Sequence, residues 1–192
     1  MRRAVALYGP PASGKDTVTA ELLKLDDRFV LYQRLKVGAG RSAGYRLVSP
    51  ERFRELEEAG EILYRNERYG NVYGIDRQTL DALTVAGCIP VVHIGQAAGL
   101  AAMDGFPARW LRVLLWCERV TTERRSAARG DGDTAMRLAV WEETKQDLDL
   151  HPDILFDVKI QTDQVAAIDA AQTIHHAAAG ATSGDFKFGT KG

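Results

Sequence analysis

The feature of this sequence that most constrains its fold is a glycine-bounded loop that ends in a lysine, between a strand signal and a helix signal. Residues 3–8 form an apolar run of strand length, and residues 16–25 carry apolar side chains at helical spacing. The G-x-x-x-x-G-K loop between them predicts an anion site, because its backbone N–H groups and the helix N-terminus can surround phosphate oxygens. Lys15 can reach the β- and γ-phosphates of a bound nucleotide. The predicted nucleotide-binding residues are Gly9, Pro10, Pro11, Ala12, Ser13, Gly14, Lys15, Asp16 and Thr17.

The position after the lysine departs from the usual form of such a loop. A hydroxyl residue that binds Mg²⁺ normally follows the lysine, but here Asp16 and then Thr17 follow. Two interpretations of Asp16 stay open: it binds Mg²⁺ directly or through water, or it is an acid favoured in the first helical turn by the helix dipole. Thr17 is predicted to contact a phosphate or the metal. ATP and Mg²⁺ are therefore the expected cofactors.

Apolar runs of strand length alternate with amphipathic stretches along the 192 residues. Further strands are predicted at 29–35, 89–94, 111–117 and 154–160, and helices from 49, at 76–86, 119–129, 134–148 and 164–179. This alternation predicts an α/β fold, a three-layer sandwich with a mostly parallel sheet. We expect a single domain with a core at 1–33 and 75–179, an acceptor-binding insert at 34–74, a helical lid at about 125–140 and a flexible tail at 180–192.

Charge and cysteine content exclude several classes of partner. The net charge of −1 provides no field suited to nucleic acid or an anionic membrane, and the longest apolar runs are too short to span a bilayer. Cys88 and Cys117 lie far apart inside apolar runs, so both are predicted to be reduced, in a cytoplasmic protein. The expected partner is a small phosphorylated acceptor. The oligomeric state stays open, with a homodimer among the alternatives.

Two motifs in the predicted insert resemble the guanylate-kinase-like family of P-loop kinases. Residues 44–53, Gly-Tyr-Arg-Leu-Val-Ser-Pro-Glu-Arg-Phe, are similar to the family's D-Y-x-F-V-S-x-E-x-F stretch, and residues 70–74, Gly-Asn-Val-Tyr-Gly, to its G-N-x-Y-G turn. The resemblance covers about residues 4–148. It implies that two tyrosines and the arginines just upstream clamp the phosphate of an acceptor nucleotide. The matching residues are Arg34, Arg41, Tyr45 and Tyr73, with Lys36 nearby.

The predicted lid resembles the same family. Residues 125–130, Arg-Ser-Ala-Ala-Arg-Gly, and the later Arg137-Leu138 are similar to the pattern R-x-x-x-R-G … R-L. The resemblance implies that these arginines close over the transferring phosphoryl group and stabilise its charge. The Gly-Asp-Gly-Asp turn at 130–133 would be the hinge of that closure. The predicted catalytic residues are Lys15, Arg125, Arg129 and Arg137.

The positions that read guanine in this family do not match. Tyr64 stands near the place of an acidic residue, Ile75-Asp76 follow the Y-G pair where the family has Ser or Thr, and residues 91–96 lack the acidic D-x-D pair. A site without these groups would not discriminate in favour of guanine. Tyr64, His93 and Gln96 are instead predicted to contact a different acceptor. The Gly-Lys-Asp-Thr segment looks like the Gly-Lys-Asp-Ser of ribose 1,5-bisphosphate phosphokinases, which belong to the same superfamily.

Three classes of function compete. The first is a kinase for a phosphate-bearing acceptor, either a nucleoside monophosphate other than GMP or ribose 1,5-bisphosphate. The second is a non-catalytic binding module, since some guanylate-kinase-like domains bind phosphopeptides; those lose the phosphate loop and lid that this sequence keeps. The third is a hydrolysing NTPase, which would need a water-activating residue and a clear acidic strand end. The motifs favour the kinase.

Overall fold

The computed structural model describes residues 1–40, 42–68, 70–128 and 133–180. The strands are β1 (Arg3–Tyr8), β2 (Phe29–Leu31), β3 (Arg34–Val37), β4 (Tyr45–Leu47), β5 (Ile62–Arg68), β6 (Asn71–Asp76), β7 (Ile89–Ile94), β8 (Arg109–Trp116) and β9 (Val158–Gln161). The helices are α1 (Lys15–Leu25), α2 (Pro50–Glu58), α3 (Arg77–Val85), α4 (Ala97–Ala102), α5 (Arg119–Ala128), α6 (Thr134–Leu150) and α7 (Ala167–Ala179), with a 3₁₀ turn at Met103–Gly105. None of the helices within these ranges is both long and apolar enough to span a bilayer.

Five strands form a parallel sheet in the order β2-β7-β1-β8-β9. Strand β1 lies in the middle, and Tyr8 at its end is paired with Ile94 of β7 and Leu114 of β8. The carboxyl ends of parallel strands meet at one edge of a sheet, which is where open α/β folds bind ligands. The loop after β1 therefore lies where a ligand site is expected.

The sheet is covered on both faces, because alternate side chains of each strand point to opposite sides. On one face, Val5 and Leu7 of β1 belong to a cluster with Val18 of α1 and Ile174 of α7. On the other face, Ala6 and Tyr8 belong to a cluster that also contains residues of α3, α4 and the 3₁₀ turn. Two buried clusters with a sheet between them make three layers. The predicted α/β three-layer fold is confirmed.

The region predicted as the insert forms a second sheet of four strands in the order β4-β3-β6-β5. Strands β5 and β6 form an antiparallel hairpin, β3 pairs antiparallel with β6, and β4 is parallel to β3. Helix α2 begins after Ser49, whose hydroxyl accepts a hydrogen bond from the Arg52 N–H, and it buries Phe53 and Leu56 against Leu35. A small separate core therefore holds this unit together.

The predicted single strand at 29–35 is wrong, because it is divided between the two sheets. β2 joins the parallel sheet, Tyr32 and Gln33 cross over, and β3 begins the second sheet at Arg34. Tyr32 is buried and donates its hydroxyl to the Asp76 carboxylate at the end of β6, the other crossing between the sheets. Arg46 of β4 pairs with the same carboxylate and donates to the Thr79 hydroxyl 2.7 Å away. Both crossings are therefore fixed by one buried polar network.

The sequence patterns also missed one helix and misjudged two boundaries. Helix α4 was not predicted, because its Ala-Ala-Gly-Leu-Ala-Ala sequence is too short and uniform to show a helical period. The strand predicted at 154–160 is only Val158–Gln161, since Leu155 is exposed and its apolar neighbours pack outside the sheet. The helix predicted from 164 begins at Ala167, because Ala166 is extended.

Candidate nucleotide and acceptor site

Two carbonyl groups of the loop between β1 and α1 are held by side chains of α5. The Thr122 hydroxyl donates to the Pro11 carbonyl at 3.1 Å, and Arg125 Nη1 donates to the Ala12 carbonyl at 2.9 Å. Gly14 adopts a left-handed conformation with φ of 89° at the start of α1, and no side chain of the described residues caps that helix. An uncapped helix N-terminus next to an ordered glycine loop is suited to a phosphate.

Gly9 is required by the close packing of this loop. A methyl group at Gly9 would collide with the Leu115 carbonyl oxygen of β8 and stand 2.9 Å from the Ser13 hydroxyl. The first glycine of the motif therefore allows the loop to pack closely against β8.

Lys15 lies inside the loop with its ammonium group held by loop oxygens. Its Nζ donates to the carbonyl oxygens of Gly9 and Pro10 at 2.7 and 2.8 Å and lies 3.3 Å from the Ser13 hydroxyl. Burial of the ammonium lowers the pKa of Lys15 to about 8. A desolvated lysine beside an uncapped helix N-terminus is suited to attract the phosphates of a nucleotide.

Ala12 is strained, and relieving the strain gives a first prediction. Its φ of 57° lies in the left-handed region, which costs a non-glycine residue about 1–2 kcal/mol. We expect Ala12→Gly to raise the free energy of unfolding by about 0.5–1 kcal/mol, since the strain relieved exceeds the entropy that glycine adds to the unfolded chain. Urea titration measures it. Ala20→Gly, an exposed position within α1, should lower stability by a similar amount; a loss at both positions would contradict the prediction.

The side of the cleft that the second sheet forms is built around Arg34. Its guanidinium lies 4.8 Å from the ring centre of Tyr73, and its Nη2 donates to the Asn66 side-chain oxygen at 3.2 Å. Its Nε is buried and has no hydrogen-bond partner among the described residues. Burial lowers the pKa of Arg34, which stays a cation nevertheless. A buried guanidinium with an unused donor is a candidate binder of an anionic ligand.

Two predicted tyrosines accompany this arginine. The rings of Tyr45 and Tyr73 lie 5.3 Å apart, and both line the cleft. The Lys36 ammonium is 5.7 Å from the Tyr45 ring, and the side chain is buried. The structure therefore brings Arg34, Tyr45 and Tyr73 together as the motif resemblance implies, while Arg41 lies outside the described residues.

Strand β5 contributes three alternate residues to the cleft. The sequence predicts an acceptor contact for Tyr64 and leaves Asn66, Glu67 and Arg68 open between an acceptor contact and a solvated loop. Tyr64, Asn66 and Arg68 line the cleft, whereas Arg65 and Glu67 between them are exposed and form an ion pair. The period of two is the signal that could have decided between these alternatives. Arg68 also pairs with Glu143 of α6 at 3.0 Å, so it connects the second sheet with the helix whose first residues belong to the predicted lid.

The ends of β7 and the start of α1 meet at the cleft. Tyr64 donates its hydroxyl to the Gln96 side-chain oxygen at 2.5 Å, and burial raises the pKa of Tyr64. His93 Nε2 lies 2.8 Å from the Thr19 hydroxyl, and its Nδ1 lies 3.5 Å from the Asp16 carboxylate. Tyr64, His93, Gln96 and Asp16 all line the cleft, whereas Thr17 is exposed and is not among the residues that line it.

The predicted lid arginines occupy different places. Arg137 of α6 lines the cleft and pairs with Asp133 at 3.0 Å. Arg125 lies behind the loop instead, where its second nitrogen donates to the Thr162 carbonyl at 2.6 Å, so its contact with a phosphoryl group stays a prediction. Arg129, with most of the turn at 130–133 and the tail beyond Gly180, lies outside the described residues.

The donor groups of the cleft are compatible with the phosphates of a nucleotide and a metal ion bound to them. Its volume is about 250 Å³, and the loop, β5, β7 and α6 all contribute to its walls. Within the described part of the chain, no three His, Cys, Asp or Glu side chains come together as a metal site. Mg²⁺ is commonly held by one or two carboxylates together with substrate phosphates. The Asp16 carboxylate, beside Lys15 at the cleft, matches that kind of site.

Two characterised relatives match the sequence. The guanylate kinase of Clostridioides difficile (strain 630) is 32% identical over 81 residues, which are 40% of this chain and 40% of that protein. The ribose 1,5-bisphosphate phosphokinase PhnN of Rhodopseudomonas palustris (strain ATCC BAA-98 / CGA009) is 27% identical over 156 residues, which are 79% of this chain and 78% of that protein. The chain therefore spans less than half of the first relative and most of the second. No protein-family profile matches it.

A solved structure supports the fold independently. The crystal structure of guanylate kinase from Anaplasma phagocytophilum superposes with a TM-score of 0.67 at 19% identity, covering 96% of this chain and 88% of that one. The superposition shows that this chain has the fold of that guanylate kinase, with a phosphate loop after the first strand. The two relatives and the superposition support the resemblance to guanylate-kinase-like P-loop kinases that the motifs predicted.

Proposed function

We propose that this protein is an ATP-dependent phosphotransferase that moves the γ-phosphoryl group of ATP to a small acceptor that already carries a phosphate. The observation that carries the proposal is a single cleft with cations at both ends. Lys15 and Arg137 stand on the side of the phosphate loop, and Arg34 with Tyr45 and Tyr73 stands on the other. Two anionic groups could thus be held in one cleft, as transfer between phosphates requires.

The chemistry asked of the side chains is charge stabilisation and alignment. Lys15 would hold the terminal phosphates, and Arg137 would approach the transferring group from α6. Arg34 would orient the acceptor phosphate through its fork of donors, so that an acceptor oxygen faces the γ-phosphorus in line. Mg²⁺ bound to the β- and γ-phosphates would neutralise further charge.

The acceptor is proposed to be a nucleoside monophosphate other than GMP. Guanine presents N–H donors that a carboxylate would accept, and the carboxylate among the described cleft residues, Asp16, belongs to the phosphate loop. The acceptor side offers Tyr64, Asn66, Gln96 and Arg68 instead. Ribose 1,5-bisphosphate is the second candidate, which the match to PhnN over 79% of the chain favours.

An acceptor screen tests this function. ADP release would be measured with ATP and Mg²⁺ over a panel of nucleoside monophosphates, ribose 5-phosphate and ribose 1,5-bisphosphate. We expect the highest kcat/KM with an acceptor other than GMP. GMP as the best acceptor would overturn the assignment of the acceptor while leaving a kinase, and ADP release that no acceptor stimulates would overturn the kinase itself.

The lowered pKa of Lys15 predicts a pH dependence of nucleotide binding. Bound phosphates favour the charged lysine, so the pKa of Lys15 should rise above its ligand-free value of about 8 when ATP binds. Affinity should then be constant below about pH 7.5 and fall toward tenfold per pH unit above pH 8, because the lysine must take up a proton. Calorimetry in two buffers of different ionisation enthalpy would measure that proton uptake.

The charge-retaining variant Lys15→Arg is the control for this titration. Arginine stays protonated over the whole range, so its ATP affinity should not change between pH 7 and 9. The same fall in affinity in the wild type and in Lys15→Arg would show that another group titrates.

A further inference from the structure

Two side-chain amides line the cleft, and their orientation determines which atoms of a ligand they can bind. Asn66 lies on β5, and Gln96 follows β7 directly before α4. An amide group has an oxygen that accepts hydrogen bonds and a nitrogen that donates them. In both residues the oxygen is bound within the protein, and neither amide nitrogen has a hydrogen-bond partner among the described residues. The donating end of each amide is therefore left for a ligand.

The orientation of Asn66 is fixed by Arg34. Arg34 Nη2 donates to the Asn66 side-chain oxygen at 3.2 Å. A guanidinium group has no hydrogen-bond acceptor, so the atom of Asn66 that faces it must be the oxygen. The guanidinium is itself held over the ring of Tyr73, 4.8 Å from the ring centre. The N–H₂ group of Asn66 is therefore the end that a ligand in the cleft can reach.

The orientation of Gln96 is fixed by Tyr64. The Tyr64 hydroxyl lies 2.5 Å from the Gln96 side-chain oxygen, a distance found for O–H···O bonds and shorter than the usual range of bonds from an amide nitrogen. The Tyr64 ring packs directly on α4, because a methyl group at Gly99 would stand 3.0 and 3.2 Å from two of its ring carbons. The hydroxyl thus has a fixed position, and it leaves the N–H₂ group of Gln96 for a ligand.

A carboxylate of α6 relieves Gln96 of a role in holding its own helix. Gln96 stands at the N-cap position of α4, but its side chain makes no capping hydrogen bond. The Asp147 carboxylate instead accepts the Ala97 N–H at 2.5 Å, together with the Tyr8 hydroxyl at 2.8 Å. A cap side chain commonly turns back onto the helix that it begins. Because Asp147 binds the first N–H of α4, the Gln96 side chain can extend into the cleft.

The three residues form one surface of alternating donors and acceptors. Tyr64 and Asn66 are two residues apart on the same face of β5, and Gln96 is bound to Tyr64. The Tyr64 oxygen can still accept a hydrogen bond while its proton is donated to Gln96. The surface therefore offers the N–H₂ groups of Asn66 and Gln96 with an accepting oxygen between them.

We propose that Asn66, Tyr64 and Gln96 are specificity-determining residues for a nucleoside monophosphate whose base has a carbonyl group beside a ring N–H and no exocyclic amino group, as uracil and hypoxanthine have. The inference rests on the proposed function and deepens it. The carbonyl oxygen would accept from an amide N–H₂ group, and the ring N–H would donate to the Tyr64 oxygen. An exocyclic amino group would meet another donor, and burying donors without partners costs affinity. The same cost applies to the amino group of guanine.

Two pairs of acceptors that exchange the carbonyl for an amino group test this class. Initial rates with saturating ATP and Mg²⁺ would give kcat/KM for IMP against AMP and for UMP against CMP. We expect the carbonyl member of each pair to be favoured roughly 10- to 100-fold, because the amino member leaves buried donors unpaired.

Three variants separate hydrogen-bond readout from a structural effect. Gln96→Glu keeps an oxygen for Tyr64 but replaces the N–H₂ group with a second oxygen, so the preference for the carbonyl member should disappear or reverse. Tyr64→Phe removes the hydroxyl that orients the amide, so the preference should fall toward one in both pairs. Gln78→Glu makes the same change at an exposed position of α3 that is not among the residues lining the cleft, and it should keep the wild-type preference.

The outcomes distinguish this inference from the proposed function. Equal kcat/KM within both pairs, or a higher value with AMP or CMP, would overturn the inference, as would a wild-type preference in Gln96→Glu. Turnover of ribose 1,5-bisphosphate with none of the four nucleotides would also overturn it while leaving a phosphotransferase. ADP release that no acceptor stimulates would instead overturn the proposed function.

Discussion

Replacing Lys15 with alanine is expected to lower kcat by about 10³-fold or more, because the terminal phosphates lose the cation that faces them as charge develops. Lys15 is bound to two loop carbonyl oxygens, so its removal also leaves those acceptors without a donor. ADP release with the best acceptor from the screen measures the effect. The melting temperature should change little, since the loop is also held by Thr122 and Arg125.

Lys24 provides the control for this variant. It lies in the last turn of the same helix, is largely exposed and pairs only with Glu21 among the described residues. Lys24→Ala should therefore keep wild-type turnover, since an exposed pair of this kind contributes little. A Lys15→Ala protein with near-normal ATP-dependent activity would refute the kinase assignment, because no other cation is placed inside the loop in the part of the chain that the structure describes.

Arg34→Met is expected to raise the KM for the acceptor roughly 30- to 5,000-fold, which corresponds to about 2–5 kcal/mol for truncating one partner of a buried charged contact. Methionine keeps much of the apolar volume against Tyr73 but has no donors. The affinity for ATP should change much less than the acceptor KM, because Lys15 and not Arg34 lies inside the phosphate loop. Initial rates over acceptor concentration, with ATP binding measured separately by calorimetry, give both numbers.

Two further variants, Arg65→Met and Arg34→Lys, are the controls for this experiment. Arg65→Met removes an arginine of the same sheet whose side chain faces away from the cleft toward Glu57 and Glu67, so the acceptor KM should not change. Arg34→Lys keeps the charge but loses the fork, and it should recover only part of the loss. An unchanged acceptor KM in Arg34→Met would show that the acceptor phosphate does not bind to this guanidinium.

The parts of the site that could be predicted are those whose residues are close together in the sequence. The phosphate loop motif is nine consecutive residues that begin at the end of a strand and run into a helix. The position of Lys15 therefore follows from the local sequence. Arg34, Tyr45 and Tyr73 were selected through motifs whose members lie on three paired strands. These residues come together only through the strand pairing of the second sheet, and the sequence pattern did not predict that pairing.

The features that escaped prediction depend on which way a side chain faces. The sequence left open whether Asn66, Glu67 and Arg68 contact the acceptor or solvent, and the structure puts Asn66 and Arg68 on the cleft face of β5 with Tyr64. Arg125 matches its motif, yet its helical face is turned to the back of the loop, and helix spacing alone does not reveal that direction. Thr19 carried no signal, because its partner His93 is 74 residues away.

The network of Tyr32, Arg46 and Asp76 has a consequence for experiments that aim to change acceptor preference. Under the proposed function, the triphosphate lies at the loop after β1, whereas Arg34, Tyr45 and Tyr73 of the second sheet face the acceptor, and the backbone passes between the sheets near Tyr32 and Asp76. The segment between these two residues is therefore the unit to exchange in such an experiment. A chimaera with a relative should take its breakpoints outside these two residues, so that Arg46 travels with both of its anchors and the donated segment arrives already oriented toward the phosphate loop.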